Sequence, residues 1–82
     1  MNIKIYVDLE IINDFCAICD RAPFRVDVIA GRYTVDGSSI MGMMSFCERT
    51  VDVVPVTDDI EAIEKFFHEI EPLGATKECE NL

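Results

Sequence analysis

The sequence predicts an α+β domain, an open-faced sandwich of order βαββαβα, with a four-stranded antiparallel sheet and three helices on one face. Three observations predict it. Apolar residues alternate in strand-length runs around Ile3-Ile5-Val7, Val26-Val28 and Thr50–Val56. They recur at helical spacing between Leu9 and Cys19 and again between Ile60 and Ile70. Each such run is apolar mainly on one side, and elements of that kind bury it economically as helices laid over one face of a sheet. The other sheet face then stays wet, which suits Lys4, Arg25 and Thr34 at outward positions.

The elements follow in order. Ile3, Ile5 and Val7 alternate with Lys4 and Tyr6 as a half-buried strand. Asp8 reads as the N-cap of a helix, and Glu10 falls in the first turn, where the helix dipole favours a carboxylate. From Leu9 to Ala22, Leu9, Ile12, Cys16 and Cys19 share one line, with Ile11, Phe15 and Ile18 beside it, and Pro23 ends the helix. Phe24 to Ala30 reads as a strand, Ala30-Gly31-Arg32 as a tight turn, and Arg32 to Val35 as its antiparallel neighbour. Asp36-Gly37-Ser38-Ser39 supplies a turn and a cap for a short helix from Ile40 to Phe46. Thr50 to Val56 is the last expected strand. Asp58 and Asp59 open the final helix, with Ile60, Ile63, Phe67 and Ile70 on one face, and Pro72 and Gly74 stop it. Residues 1–74 are expected to form the domain, and 75–82 a polar, flexible C-terminal tail.

Half of the 82 residues are apolar, enough for one core and too few for two. Sixteen acidic residues against seven basic ones give a net charge of −9. That balance argues against nucleic acid, which needs clustered Lys and Arg, and against an anionic membrane surface. From Asp58 onward stand eight carboxylates and only Lys65 and Lys77, so −6 of the −9 lies there. No apolar run approaches the ~18 residues of a membrane span, and Met1 leads directly into a strand pattern. The expectation is a cytoplasmic protein without a signal peptide.

Cys16 and Cys19 form a C-x-x-C, with Cys47 and Cys79 apart from it. A redox pair belongs at a helix N-terminus, where the dipole lowers a thiol pKa; this pair lies well inside a helical pattern. A zinc site needs two more well-placed ligands, and the single histidine is His68. The cysteines therefore read as small core or boundary residues, and neither metal nor cofactor is expected. A small thiol or metal-binding protein using Cys16, Cys19 and Cys47 remains as an alternative.

The segment Gly37 to Phe46 is unusual in carrying three methionines, an isoleucine and two glycines with no charge. One reading buries all of it. The other turns Met43, Phe46 and Cys47 inward and leaves Ile40, Met41 and Met44 as an exposed, adaptable patch for a protein partner, with Gly42 admitting a second backbone. The stretch Ser39-Ile40-Met41-Gly42-Met43-Met44-Ser45 resembles the second-helix motif of HPr, the histidine-containing phosphocarrier of the bacterial sugar phosphotransferase system. The order of elements is similar from about Ile3 to Leu73. Val26 to Val28 and Arg32-Tyr33-Thr34-Val35-Asp36 match the preceding strand pair without a gap.

The resemblance implies the open-faced fold. It would also imply phosphoryl transfer through a histidine in a Gly-x-His-x-Arg-Pro signature at the first helix, but the family's spacing places Asp8 at the histidine and Glu10 at the arginine. Val7 runs directly into Asp8, so by the resemblance the loop that carries the signature is deleted here, and His68 falls in the third helix. Asp8 reads as a plain helix cap, because Glu10 beside it and the lack of a cation disfavour an acyl phosphate. What remains is Ser39. The matching serine of Gram-positive relatives is phosphorylated by a regulatory kinase, and a catabolite-repression paralogue keeps it without the histidine. The resemblance thus implies a non-catalytic regulatory or interaction module that docks a protein through Ile40, Met41 and Met44, with Ser39 either a regulatory phosphorylation site or only a cap. A phosphocarrier with an unusual acceptor is the alternative.

Overall fold

In the computed structural model, which describes residues 2–78, the chain runs through β1 (Asn2–Val7), α1 (Leu9–Arg21), β2 (Arg25–Ala30) and β3 (Tyr33–Asp36). It continues through α2 (Ile40–Met44), β4 (Arg49–Val56), α3 (Ile60–Ile70), a 3-10 turn (Glu71–Leu73) and β5 (Thr76–Glu78). The strands form one antiparallel sheet in the order β3-β2-β4-β1-β5. The α+β class, the order of the first seven elements and the three helices over an open sheet agree with the sequence.

Alternation sets the register. Val53 of β4 lies opposite both Ile3 of β1 and Val28 of β2, and Val28 lies opposite Val35 of β3. This row points toward the helices. There Ile5, Val7, Phe15, Met43 and Ile70 are almost wholly buried. The opposite face holds polar pairs, of which Lys4 and Asp52 are the closest, 2.8 Å apart. That carboxylate raises the Lys4 pKa, chiefly through the hydrogen bond.

Turns and caps follow the local chemistry. Gly31 opens the two-residue β2–β3 loop at φ 62°, a conformation a side chain resists. The α3 N-cap is Asp59, whose carboxylate accepts the Ala62 N–H at 3.2 Å. Helix α3 ends at Ile70, Pro72 sits in the 3-10 turn, and Gly74 closes it at φ 104° with its N–H donated to the Glu71 carbonyl.

The structure corrects the sequence in several places. The sheet has five strands, because Thr76–Glu78, assigned to the tail, pairs with Asn2–Lys4. Ala75 is buried, and the Lys77 ammonium lies 4.7 Å from the centre of the Phe67 ring. An edge strand of this kind is held by backbone bonds and one cation–π contact, so it lacks apolar alternation. The rest of the expected tail, Cys79 to Leu82, lies outside the described residues. Helix α2 stops at Met44, two residues early, and Ser45 to Glu48 form turns. Leu9 and Ile60, read as inward, are 69% and 67% exposed. Each is the first residue of its helix. Among the described residues no helix is long and apolar enough to cross a membrane.

Candidate functional site

At the β1–α1 junction, Val7 leads directly into Asp8. The Asp8 carboxylate accepts the backbone N–H groups of Glu10 at 2.9 Å and Ile11 at 3.2 Å. One oxygen thus satisfies two of the donors that a helix start leaves without partners. The turn after α2 is tied to the same place, because Glu48 donates its N–H to the Val7 carbonyl at 2.7 Å. Glu48 adopts φ 63° to do so, a left-handed conformation uncommon for a residue with a side chain. Asp8, Leu9, Met44, Cys47 and Glu48 line one hollow there.

The entry to α2 is built from short polar contacts. Asp36 accepts the Ser38 N–H at 2.9 Å and the Ser38 hydroxyl at 2.7 Å, and these bonds hold its carboxyl below the usual carboxylate range. Gly37 is buried, where a Cβ would stand 2.9 Å from the Cys19 sulfur and 3.3 Å from the Val26 carbonyl. Ser39 is the N-cap, its hydroxyl accepting the Gly42 N–H at 3.1 Å. Gly42 itself faces inward. A Cβ there would lie 3.1 Å from that of Val35 and 3.2 Å from the Ser39 oxygen, so the close approach that calls for glycine is to β3 of this chain. The sequence reading of Gly42 as room for a partner's backbone is not needed.

The methionines divide as their spacing predicts. Met43 is fully buried and Phe46 nearly so, whereas Met41 is 84%, Met44 52% and Ile40 47% exposed. Leu9 joins them, since it shares the hollow with Met44. Sequence reasoning missed Leu9 because it continues the core line of α1; its place at the first helical position was the available signal. Glu48 gave none, because its placement depends on the turn.

Other candidates stand elsewhere. Cys16 and Cys19 are buried in the core. Burial, with the neighbouring Cys16 and Asp36 contributing, pushes the Cys19 thiol up to about 12, and burial likewise raises that of Cys16. Both thiols are therefore held in the poorly nucleophilic protonated form. Cys47 is half-buried in the hollow beside Met44, and Cys79 lies outside the described residues. His68 is on an exposed face of α3, 3.7 Å from the Glu71 carboxylate. Among the described residues, no group of three His, Cys, Asp or Glu side chains is placed to hold a metal. A separate apolar hollow of about 360 Å³ lies between β4 and the start of α3; its charged residue Asp52 is already paired with Lys4.

No family model matches the sequence, and no curated protein matches it. Among solved structures, the chain is similar to the crystal structure of HPr-C-His from Thermoanaerobacter tengcongensis. The two superpose with a TM-score of 0.65 over 87% of this chain and 91% of that one, at 21% sequence identity. The fold is HPr-like. At that identity the likeness concerns the path of the chain, and the residues at the two helix starts carry any statement about chemistry.

Proposed function

We propose that this protein is a non-catalytic, HPr-like module that binds a protein partner through the outer face of α2, with Ile40, Met41 and Met44 as the contact residues. The observation that carries the reading is the exposure of these side chains on a short helix with no outward charge. Solvent-exposed apolar side chains in a contiguous group are what an interaction surface presents, and unbranched methionines adapt to the shape they meet. The start of α1 supports the non-catalytic half of the reading. A phosphoryl acceptor needs a free nucleophile and cations to stabilise the added charge. Here Asp8 is engaged in capping, Glu10 follows it, and neither Lys nor Arg lines the hollow.

The activity test is incubation with phosphoenolpyruvate and the general phosphotransferase enzyme. The mass is expected to stay unchanged. An acid-labile gain of one phosphate would overturn the non-catalytic reading and restore the alternative, a carrier with an unusual acceptor at Asp8 or His68.

Phosphorylation of Ser39 is a second reading, favoured by its position at the head of the exposed helix. A phosphate there would add about −1.5 to −2 charges beside Ile40 and Met41. The cap to Gly42 by itself accounts for a serine at this position. Exposure to a protein serine kinase followed by peptide mapping decides: a phosphate on Ser39 supports regulation, and an unmodified Ser39 leaves only the cap.

A further inference from the structure

Ile40 and Met44 of α2 border a trough whose other wall is α1, Met41 stands exposed between them, and the trough has carboxylates toward both ends. Along α1, Leu9, Asn13, Ala17 and Asp20 recur at i, i+4, i+8 and i+11, which puts them on one face. Asn13, Ala17 and Asp20 line a hollow shared with Ser38 and Ile40. Leu9 lines the hollow shared with Met44, Asp8 and Glu48. The end of α2 thus lies by the start of α1 and the start of α2 by its end, so the two short hollows flank α2 along its length. Neither hollow is lined by a Lys or an Arg. Arg21, next to Asp20, is turned to Glu69 of α3 at 3.8 Å, and Arg49 lines a different hollow, with Tyr33 and Phe46. An apolar strip with Asp8 and Glu48 at one end and Asp20 at the other selects its partner by sign.

Resting on the docking reading above, we infer that the partner presents an amphipathic helix with an apolar face and a cationic residue toward each end of it. Asp8 and Asp20 stand twelve positions apart along α1, about 18 Å at the helical rise. A helix lying along the trough meets both ends when its Lys or Arg residues are about eleven or twelve positions apart, with Leu, Met or Phe between them at helical spacing. Its apolar side chains cover Ile40, Met41, Met44 and Leu9, and its cations meet the carboxylates at the rim. The pairs are exposed, so they set orientation and choice of partner more than affinity. An acidic helix on the same strip meets like charge at both ends.

The test uses two synthetic helical peptides with the same leucine face, one carrying Lys and the other Glu at two positions eleven residues apart. Binding to the full chain is followed by fluorescence anisotropy. The Lys peptide is expected to bind about tenfold more tightly than the Glu peptide at about 0.02 M salt, the gap closing to within about twofold at about 0.5 M. Substituting Asp20→Asn together with Glu48→Gln is expected to cut the preference to about threefold. Met41→Gln with Met44→Gln, which removes apolar contact without adding charge, is expected to weaken both peptides at least about tenfold, circular dichroism confirming the fold. Equal binding of the two peptides, or preference for the Glu peptide, with loss in the methionine variant overturns the cationic partner and leaves docking on α2 standing. Failure of both peptides to bind, or binding indifferent to the methionine variant, overturns both.

Discussion

Past its first residue, the exposed Ile60, helix α3 meets solvent with Glu61, Glu64, Lys65, His68 and Glu69, whereas α2 meets it with Ile40, Met41 and Met44. Their inner faces are alike. Phe66, Phe67 and Ile70 of α3 are buried, as are Met43 of α2 and Phe46 just beyond it. Both helices begin with one side-chain oxygen holding one backbone N–H, Asp59 for Ala62 and Ser39 for Gly42. Core packing and capping therefore account for the inner faces and the starts of both helices, and charge accounts for the outer face of α3. None of these accounts for the outer face of α2. Exposed apolar side chains contribute little to the fold, and it is the grouping of three of them on one short helix that supports the proposed docking face.

The largest effects should fall on the inner faces. Phe67→Ala on α3 and Met43→Ala on α2 are each expected to cost about 2–5 kcal/mol in urea unfolding. A small loss at Met43 would mean that α2 is not anchored and would end the comparison. Next comes Gly37→Ala, expected to cost about 1–3 kcal/mol, because the added methyl meets the Cys19 sulfur and the Val26 carbonyl. The same crowding predicts that Cys19→Ala makes room, so the double variant should lose less than the two single losses added together.

Cys19 also gives a pH dependence. Its thiol is pushed from the ordinary 9.0 up to about 12 by folding, so the unfolded chain releases the proton first. The stabilisation is complete below pH 9 and is lost as pH rises from 9 toward 12, with a slope of at most about 1.4 kcal/mol per pH unit. Cys19→Ala should remove that part of the alkaline slope, which urea melts at stepped pH will measure. The two caps come next: Ser39→Ala and Asp59→Ala should each cost about 1 kcal/mol. A much larger loss at Ser39 would show a structural demand there beyond capping. The smallest effects belong to the outer faces, where Met41→Ala, Met44→Ala and Glu64→Ala should each stay within about 0.5 kcal/mol. If Met44→Ala proves as costly as Met43→Ala, α2 has no free face and the docking reading loses its support.

How much was legible follows the same division. Strands β1, β2 and β4 were readable because each has one buried face and period-two alternation records it. Asp8 and Ser39 were readable as caps, and Asp58 and Asp59 as a helix start, because short polar side chains before an apolar run have one economical use. The split between Met43 and its neighbours followed from helical spacing. Leu9 and Ile60 were misread because periodicity fixes the side of a helix a residue occupies and says nothing about how closely the first turn is packed. Gly42 was not legible as a packing position, because a glycine that admits a neighbour looks the same in sequence whether that neighbour is Val35 of this chain or a foreign group. The carboxylates at Asp8, Glu48 and Asp20 come from separate elements, and only the antiparallel placement of α1 and α2 brings them to one trough.

Strand β5 covers part of the outer edge of β1, pairing Thr76, Lys77 and Glu78 with Lys4, Ile3 and Asn2. Without it, a strand bearing Ile3, Ile5 and Val7 would offer its unpaired amides and carbonyls to any other extended chain. The polar character of Thr76-Lys77-Glu78 makes the segment look dispensable in the sequence, and the same character makes it a safe border, since a charged outermost strand does not recruit a further one. A chain ending at Gly74, where apolar patterning alone puts the domain boundary, would keep most of its core and lose that border. Self-association at the β1 edge, ahead of unfolding, is the failure such a truncation invites.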